Sequence, residues 1–215
     1  AFDSRGNVTS QSIITYADEN AAVKIGSVNV LNYNFNARGN PGQTIRDNFD
    51  SNNQFTTRTI IDNTAFDVRG NATNQKITTQ ITGSTGSLVT VGITEVTSSN
   101  FDSRGNAKNV IRITKDPSGV FIERQDIENK RFDPRGNVLE LQVVTKDAGG
   151  NFISQMKVEN SNLDARGNAV NVKRTMQDSF GNTLSIVEIE NRATSSGSRF
   201  DVRGNALAPR ILNKD

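Results

Sequence analysis

The chain has 215 residues, with 25 Lys and Arg against 23 Asp and Glu, no His and no Cys. Without Cys there is no disulfide and no thiolate site, and without His the commonest general base and transition-metal ligand is missing. A formal net charge of +2 with no basic tract argues against a nucleic-acid groove, and no apolar run approaches the ~18 residues of a membrane helix.

Leu, Ile, Val and Phe make up about a quarter of the chain, enough for a folded protein but not for a thick two-sided core. The first residues, AFDSRGNVTS, have neither the basic start nor the apolar stretch of a secretory leader. They already contain the feature that organises everything downstream.

In chain order, FDSRGN at 2–7 is followed by a turn-like ADEN at 17–20, then FNARGN at 35–40 and DSNN at 50–53. FDVRGN follows at 66–71, TGSTG at 82–86, FDSRGN at 101–106 and DPSG at 116–119. FDPRGN at 132–137, DAGG at 147–150, LDARGN at 163–168, DSFG at 178–181 and FDVRGN at 200–205 complete the series. Repeat starts near 2, 35, 66, 101, 132, 163 and 200 give spacings of 33, 31, 35, 31, 31 and 37, and such a period reads as a repeat array.

Both kinds of turn carry Asp-x-x-Gly. A type I turn favours Asp first, Pro second and Gly fourth, and Gly there closes a hairpin through a bulge. Pro117 and Pro134 stand at the second position of such turns. The segments between turns alternate with period two. Leu139, Leu141 and Val143 are interleaved with Glu140 and Gln142; Ile111 and Ile113 flank Arg112; Phe152, Met156 and Val158 share a parity with Ser154. The pair Val143-Val144 breaks the alternation and predicts that some strands carry bulges or meet neighbours on both faces. No segment offers a helical stripe. The chain therefore reads as all-β, a single domain over 1–215: an antiparallel meander of about twelve strands from six hairpin-like repeats, forming a curled or barrel-like array. The alternative is a two-layer β-sandwich.

Each motif position has a role. The apolar Phe2, Phe35, Phe66, Phe101, Phe132, Leu163 and Phe200 end a strand, and their side chains are expected to be buried on one side of the array. Asp3, Asp67, Asp102, Asp133, Asp164 and Asp201 hold the turn, with Asn36 in that place in the second motif. Gly6, Gly39, Gly70, Gly105, Gly136, Gly167 and Gly204 supply positive φ. Asn7, Asn40, Asn71, Asn106, Asn137, Asn168 and Asn205 restart the next strand with a side chain able to bond to nearby backbone. Turn geometry does not demand Arg5, Arg38, Arg69, Arg104, Arg135, Arg166 and Arg203. Stacking of successive turns does account for them, each Arg reaching an Asp or a carbonyl of its own or a neighbouring turn. Asn32, Asn63, Asn129 and Asn160, each three residues before a motif, are expected in the same ladder. Near the end, RATSSGSR at 192–199 predicts a loop or bulge, and NALAPRILNKD predicts an edge element.

FDSRGNVTS resembles the tyrosine–aspartate repeat, also called the Rhs repeat, whose units open with a Tyr-Asp-x-x-Gly-Arg or Tyr-Asp-x-x-Gly-Asn turn. The aromatic residue, Asp, Gly and Asn match, and DPSG, DAGGN and DSFGN look like that unit's second turn. The resemblance runs along nearly the whole chain, with Phe for Tyr and a period of 31 to 37 where that family repeats near 20. It implies a related hairpin spiral of the kind found in large β shells and exported surface proteins, some of which enclose toxin domains.

The functional expectation is a structural scaffold or spacer segment of an exported or cell-surface repeat protein, extracellular and without enzyme activity, catalytic residues, cofactor or metal. The direct opening on a motif reads as part of a longer array, so the expected partners are neighbouring repeats of a longer chain or another copy of itself. A surface-binding module for glycan or host adhesion is the alternative. Against an adhesive tripeptide, RGN lacks a carboxylate. Against calcium, each turn offers one Asp where Ca²⁺ takes several oxygens. Against glycoside hydrolysis, no carboxylate pair stands out.

Overall fold

The computed structural model describes residues 1–17, 23–195, 197–201 and 204–214. The expected ADEN turn falls largely on 18–20 and Arg203 on 203, so both lie outside the described residues. The protein is all-β, with strands β1 (Ser10–Tyr16), β2 (Lys24–Phe35), β3 (Pro41–Phe49), β4 (Phe55–Phe66), β5 (Ala72–Thr82), β6 (Leu88–Phe101), β7 (Ala107–Lys115), β8 (Phe121–Phe132), β9 (Val138–Lys146), β10 (Phe152–Leu163), β11 (Ala169–Gln177), β12 (Thr183–Asn191) and β13 (Pro209–Lys214). They follow one another in a single sheet in the order of the sequence, with no crossover. The count exceeds twelve because the tail after the seventh motif adds a strand of its own, β13, pairing with β12 from Asn191↔Pro209 to Ile186↔Lys214. One sheet, rather than the two of a sandwich, holds all the strands.

The chain divides into two compact units, one of Ala1–Ser98 with Arg112–Ile122, the other of Ser99–Ile111 with Glu123–Asp215. In the first, cross-strand partners line up into rows. Leu31, Ile45, Ile60, Thr78 and Ile93 form one such row through β2 to β6. On the same face, two residues along, run Asn29, Asp47, Arg58 and Gln80. Arg58 there grips Asp47 with both forks, at 2.7 Å each. An apolar row beside a charged one lets a single sheet bury aliphatic surface under the stems of its own ionic neighbours.

In the second unit the two faces differ more sharply. Ile127, Val143, Met156 and Met176 form one row, and Leu141, Val158, Arg174 and Val187 the next, on one face. The opposite face carries Glu140, Glu159, Lys173 and Glu188 in register. Lys157 bridges Glu140 and Glu159 at 3.3 and 3.2 Å. Asp126 is held between Arg124 at 2.7 Å and Lys146 at 2.6 Å.

The packing stays thin. Val143 and Val158, each 8% exposed, are the buried hydrophobics among the described residues. A single sheet layer cannot enclose a side chain on all sides. This corrects the expectation for the motif Phe residues: Phe2 is 72% exposed, and Phe35, Phe66, Phe101, Phe132, Leu163 and Phe200 are half-buried. They sit at the sheet margin, where each pairs with the residue just after its turn, as in Phe132↔Val138 and Leu163↔Ala169. The predicted bulges occur elsewhere, for instance between Asn129 and Arg131 and between Phe152 and Ser154, whereas Val143 and Val144 pair regularly. A feature with no clear sequence signal precedes three motifs: Asn34, Asn100 and Asn162 adopt positive φ, near 55°, which Asn tolerates better than most residues.

With so little enclosed surface, stability is concentrated where burial is greatest. Val158→Ala should cost about 2 kcal/mol, whereas Ile211→Ala, on the exposed β13, should cost no more than about 0.5 kcal/mol, both read from urea unfolding midpoints.

Candidate functional site: the ladder of turns

The motif turns and the turns of the opposite rim from Asp50 onward share one hydrogen-bond scheme. In the fifth motif the Asp133 N–H donates to the Asn137 carbonyl at 2.9 Å, and the Gly136 N–H donates to the Asp133 carbonyl at 3.0 Å. The same two bonds recur from Asp3 to Asp201, with Asn36 as the first residue in the second motif. They also recur at the opposite rim from Asp50, Gly83, Asp116, Asp147 and Asp178, and at Thr194 within the RATSSGSR stretch. This is a type I turn closed by a bulge at a glycine, or at Asn53 (φ 61°) in the Asp50 turn. The seven motif glycines have φ between 81° and 93°, a region that a Cβ disfavours.

The Asp carboxylate is the internal clamp. One oxygen of Asp133 accepts the N–H groups of Arg135 at 2.8 Å and Asn137 at 2.9 Å, and the other accepts the Asn137 side-chain amide at 2.9 Å. Asp3, Asp67, Asp102 and Asp164 make the corresponding bonds. Asn36 keeps the two backbone bonds, from Arg38 at 2.9 Å and Asn40 at 3.1 Å. The bond from the motif Asn leads in holding the carboxyls of Asp3, Asp67, Asp102, Asp133 and Asp164 below the usual carboxylate range.

At the motif rim the turns are also tied to one another, in three ways. First, the motif Asn of one turn lies against the glycine of the next. A Cβ built on Gly167 would meet Asn137 Oδ1 at 2.5 Å; on Gly136, Asn106 Oδ1 at 2.8 Å; on Gly204, Asn168 Oδ1 at 2.8 Å; and on Gly70, Asn40 Nδ2 at 2.6 Å. Asn7 faces Gly39 in the same way. Second, Arg side chains reach forward to backbone carbonyls of the next turn. Arg5 Nη1 donates to Asn36 O at 3.2 Å, and Arg135 donates to Ala165 O at 2.7 Å and Asp164 O at 2.8 Å. Arg104 reaches Pro134 O. Arg5, Arg69 and Arg135 also lie within ion-pair distance of their own turn's Asp. Third, Asn32, Asn63, Asn129 and Asn160 each reach back with a side-chain N–H to the carbonyl after the previous motif, at Val8, Pro41, Ala107 and Val138. Asn191 does the same to Ala169 at 2.8 Å and is buried. Sequence reading missed Asn191 because the longer last interval moves it away from three residues before the motif.

The opposite rim shares the turn but not the ties. A Cβ on Gly86, Gly119, Gly150 or Gly181 would meet nothing within 4 Å, although φ is positive at each. Among the described residues, no group of three or more His, Cys, Asp or Glu side chains could hold a metal ion. Within the second unit there is a groove of about 490 Å³ on the charged face, lined among others by Arg131, Glu159, Lys173, Glu188, Glu190 and Arg210.

No family model and no curated protein matches the chain. Among solved structures, a chain of the TcdB2-TccC3-Cdc42 crystal structure aligns with 94% of this chain over 14% of its own length, at 8% identity and a TM-score of 0.17. At that score the likeness carries no argument. This chain spans a small fraction of that protein's length.

Two outcomes follow from the ladder. Gly167→Ala should destabilise more than Gly150→Ala. Gly150→Ala meets strained φ alone, a cost of roughly 1 kcal/mol, whereas Gly167→Ala also collides with Asn137. The excess should vanish when Asn137→Ala is combined with it, as a double-mutant cycle in urea would read. The second outcome concerns pH. The turn carboxyls titrate lower when folded than the unfolded value near 3.9, so their contribution is present above that value and is lost as pH falls through the lower folded values. With no His in the chain, the melting temperature should be nearly flat from pH 5 to 8 and fall steeply below about pH 4.

Proposed function

We propose that this chain is a structural scaffold or spacer segment, belonging to an exported or cell-surface repeat protein and acting through its length and surface rather than through catalysis. One observation carries the reading: among the described residues, the recurring polar side chains of the motif hold turns and, through Asn7, Asn40, Asn106, Asn137 and Asn168 and through Arg5, Arg104 and Arg135, join one turn to the next. The Asp carboxylates are occupied by backbone N–H groups and by Asn, and Asn and Arg reach neighbouring turns. A ladder of this kind grows by adding units, each resting on its neighbour, as in other repeat proteins. The likeness of the turns to tyrosine–aspartate repeats supports the same reading and an extracellular setting, with neighbouring repeats or another copy as partners.

A second reading, a module binding an acidic glycan, is favoured by the groove of the second unit. Its glutamates are engaged outside it, Glu159 with Lys157, Glu188 with Lys214 and Glu190 with Arg192. Arg131, Lys173 and Arg210 line the groove beside these three glutamates, with Lys173 across from Glu159 and Glu188 and helping to lower the Glu188 carboxyl, so the groove offers cationic groups within a formally balanced lining.

Excision of residues 132–162, one 31-residue period, tests the scaffold reading by joining Arg131 directly to Leu163. The shortened chain should keep its β circular dichroism and unfold cooperatively with a smaller denaturant slope. Loss of folding would overturn modularity. Binding of an acidic oligosaccharide that disappears with Lys173→Ala and Arg131→Ala would favour the second reading instead.

A further inference from the structure

Readily oxidised side chains are scarce in this chain. It has no Cys, no His and no Trp, and its two Met are Met156 and Met176. A thiolate would be the first target of a hydroperoxide, so in its absence the two thioethers are the groups that take oxygen. The fold brings them together. Met156 on β10 and Met176 on β11 are direct cross-strand partners. Directly opposed residues have Cβ atoms about 4.5–5.5 Å apart, within reach of two long side chains.

Their place in the sheet sets their access. The row they belong to runs Ile127, Val143, Met156, Met176 and Ser185 from β8 to β12. Met156 is flanked on one side by Val143, which is 8% exposed, and on the other by Met176. Met176 has an apolar neighbour on one side alone, because the row ends at the small, polar Ser185. Both Met are half-buried rather than enclosed. Val158, also 8% exposed, lies on the same face two residues from Met156. The two thioethers therefore stand beside the best-covered aliphatic groups of the second unit.

Oxygen on sulfur changes that row. Hydrogen peroxide oxidises a thioether by two electrons: the O–O bond breaks, one oxygen bonds to sulfur, and the other leaves as water. The sulfoxide is polar, and placing it against Val143 and Val158 without a hydrogen-bond partner is unfavourable.

We infer that Met156 and Met176 form a two-step oxidation site: a hydroperoxide takes Met176 first, its sulfoxide opens the way to Met156, and the two sulfoxides together loosen β9–β11. Reductases return sulfoxide to thioether, so the change is reversible. The site gives the array a response to oxidants that its ladder of turns lacks.

Intact mass during hydrogen peroxide treatment of the folded chain reads the order of the steps. The singly oxidised form should stay scarce, with its oxygen on Met176, and the doubly oxidised form should follow quickly. Met176→Leu should slow oxygen uptake at Met156 several-fold, whereas Met156→Leu should leave the rate at Met176 unchanged. Both swaps conserve volume and polarity, so the fold should hold. The doubly oxidised chain should unfold at lower urea concentration and exchange amide hydrogens faster in β9–β11, with β3–β5 unchanged. Both effects should reverse with the two methionine sulfoxide reductases, one for each sulfoxide epimer, and be absent when both Met are replaced by Leu. Oxygen uptake in urea but not in the folded chain, an unchanged urea midpoint after both oxygens are taken, or equal rates at the two Met with a stable singly oxidised form would overturn the inference. Should a Leu variant fail to fold, the masses and the urea midpoint of the oxidised natural chain decide.

Discussion

Everything in this molecule depends on one carboxylate in one turn. Asp at the first position of a type I turn takes two backbone N–H groups on one oxygen and the amide of Asn, four residues on, with the other. That single group satisfies donors that would otherwise be left open where a strand reverses, and it fixes the register of both strands. Because the turn recurs at both rims, it sets the length of every strand between. Those lengths in turn decide which side chains face one another across the sheet.

A thin sheet makes this constraint weigh more than it would in a globular domain. With Val143 and Val158 as the buried hydrophobics among the described residues, hydrophobic burial is spread over many half-covered side chains. Cross-strand pairs, each contributing about 0.2–1 kcal/mol, take a larger share of the work. The rows through Ile45 and Ile60 in one unit, and through Val143 and Met156 in the other, are the nearest thing to a core. Charged rows such as Asp47 with Arg58 shield them from the side.

The two rims show how one turn serves two purposes. At the Asp116, Asp147 and Asp178 rim it only reverses the chain, and the space beside its glycines is open. At the motif rim the same turn carries Arg and is roofed by the preceding Asn. A strand-reversing device there also becomes a contact between units. Glycine has a double reason at Gly167 that it lacks at Gly150: positive φ at both, and the approach of Asn137 at the first alone.

Period, strand alternation and turn chemistry were legible in the sequence because they are local. Asp, Pro and Gly act within five residues, and alternation along a strand needs no knowledge of its neighbours. From these followed the all-β meander, the positive φ of the motif glycines and the expectation that Arg bridges turns. Tertiary structure alone decided what depends on distance in space. It left Phe2 exposed and the other motif Phe and Leu side chains half-buried at the sheet margin, because one sheet layer cannot cover them fully. It also set Asn191 in the ladder despite its displaced position, seated Asn137 over Gly167, and divided the faces of the second unit into an aliphatic and an ionic side. Pairing register, which no single strand encodes by itself, is the physical reason for the difference.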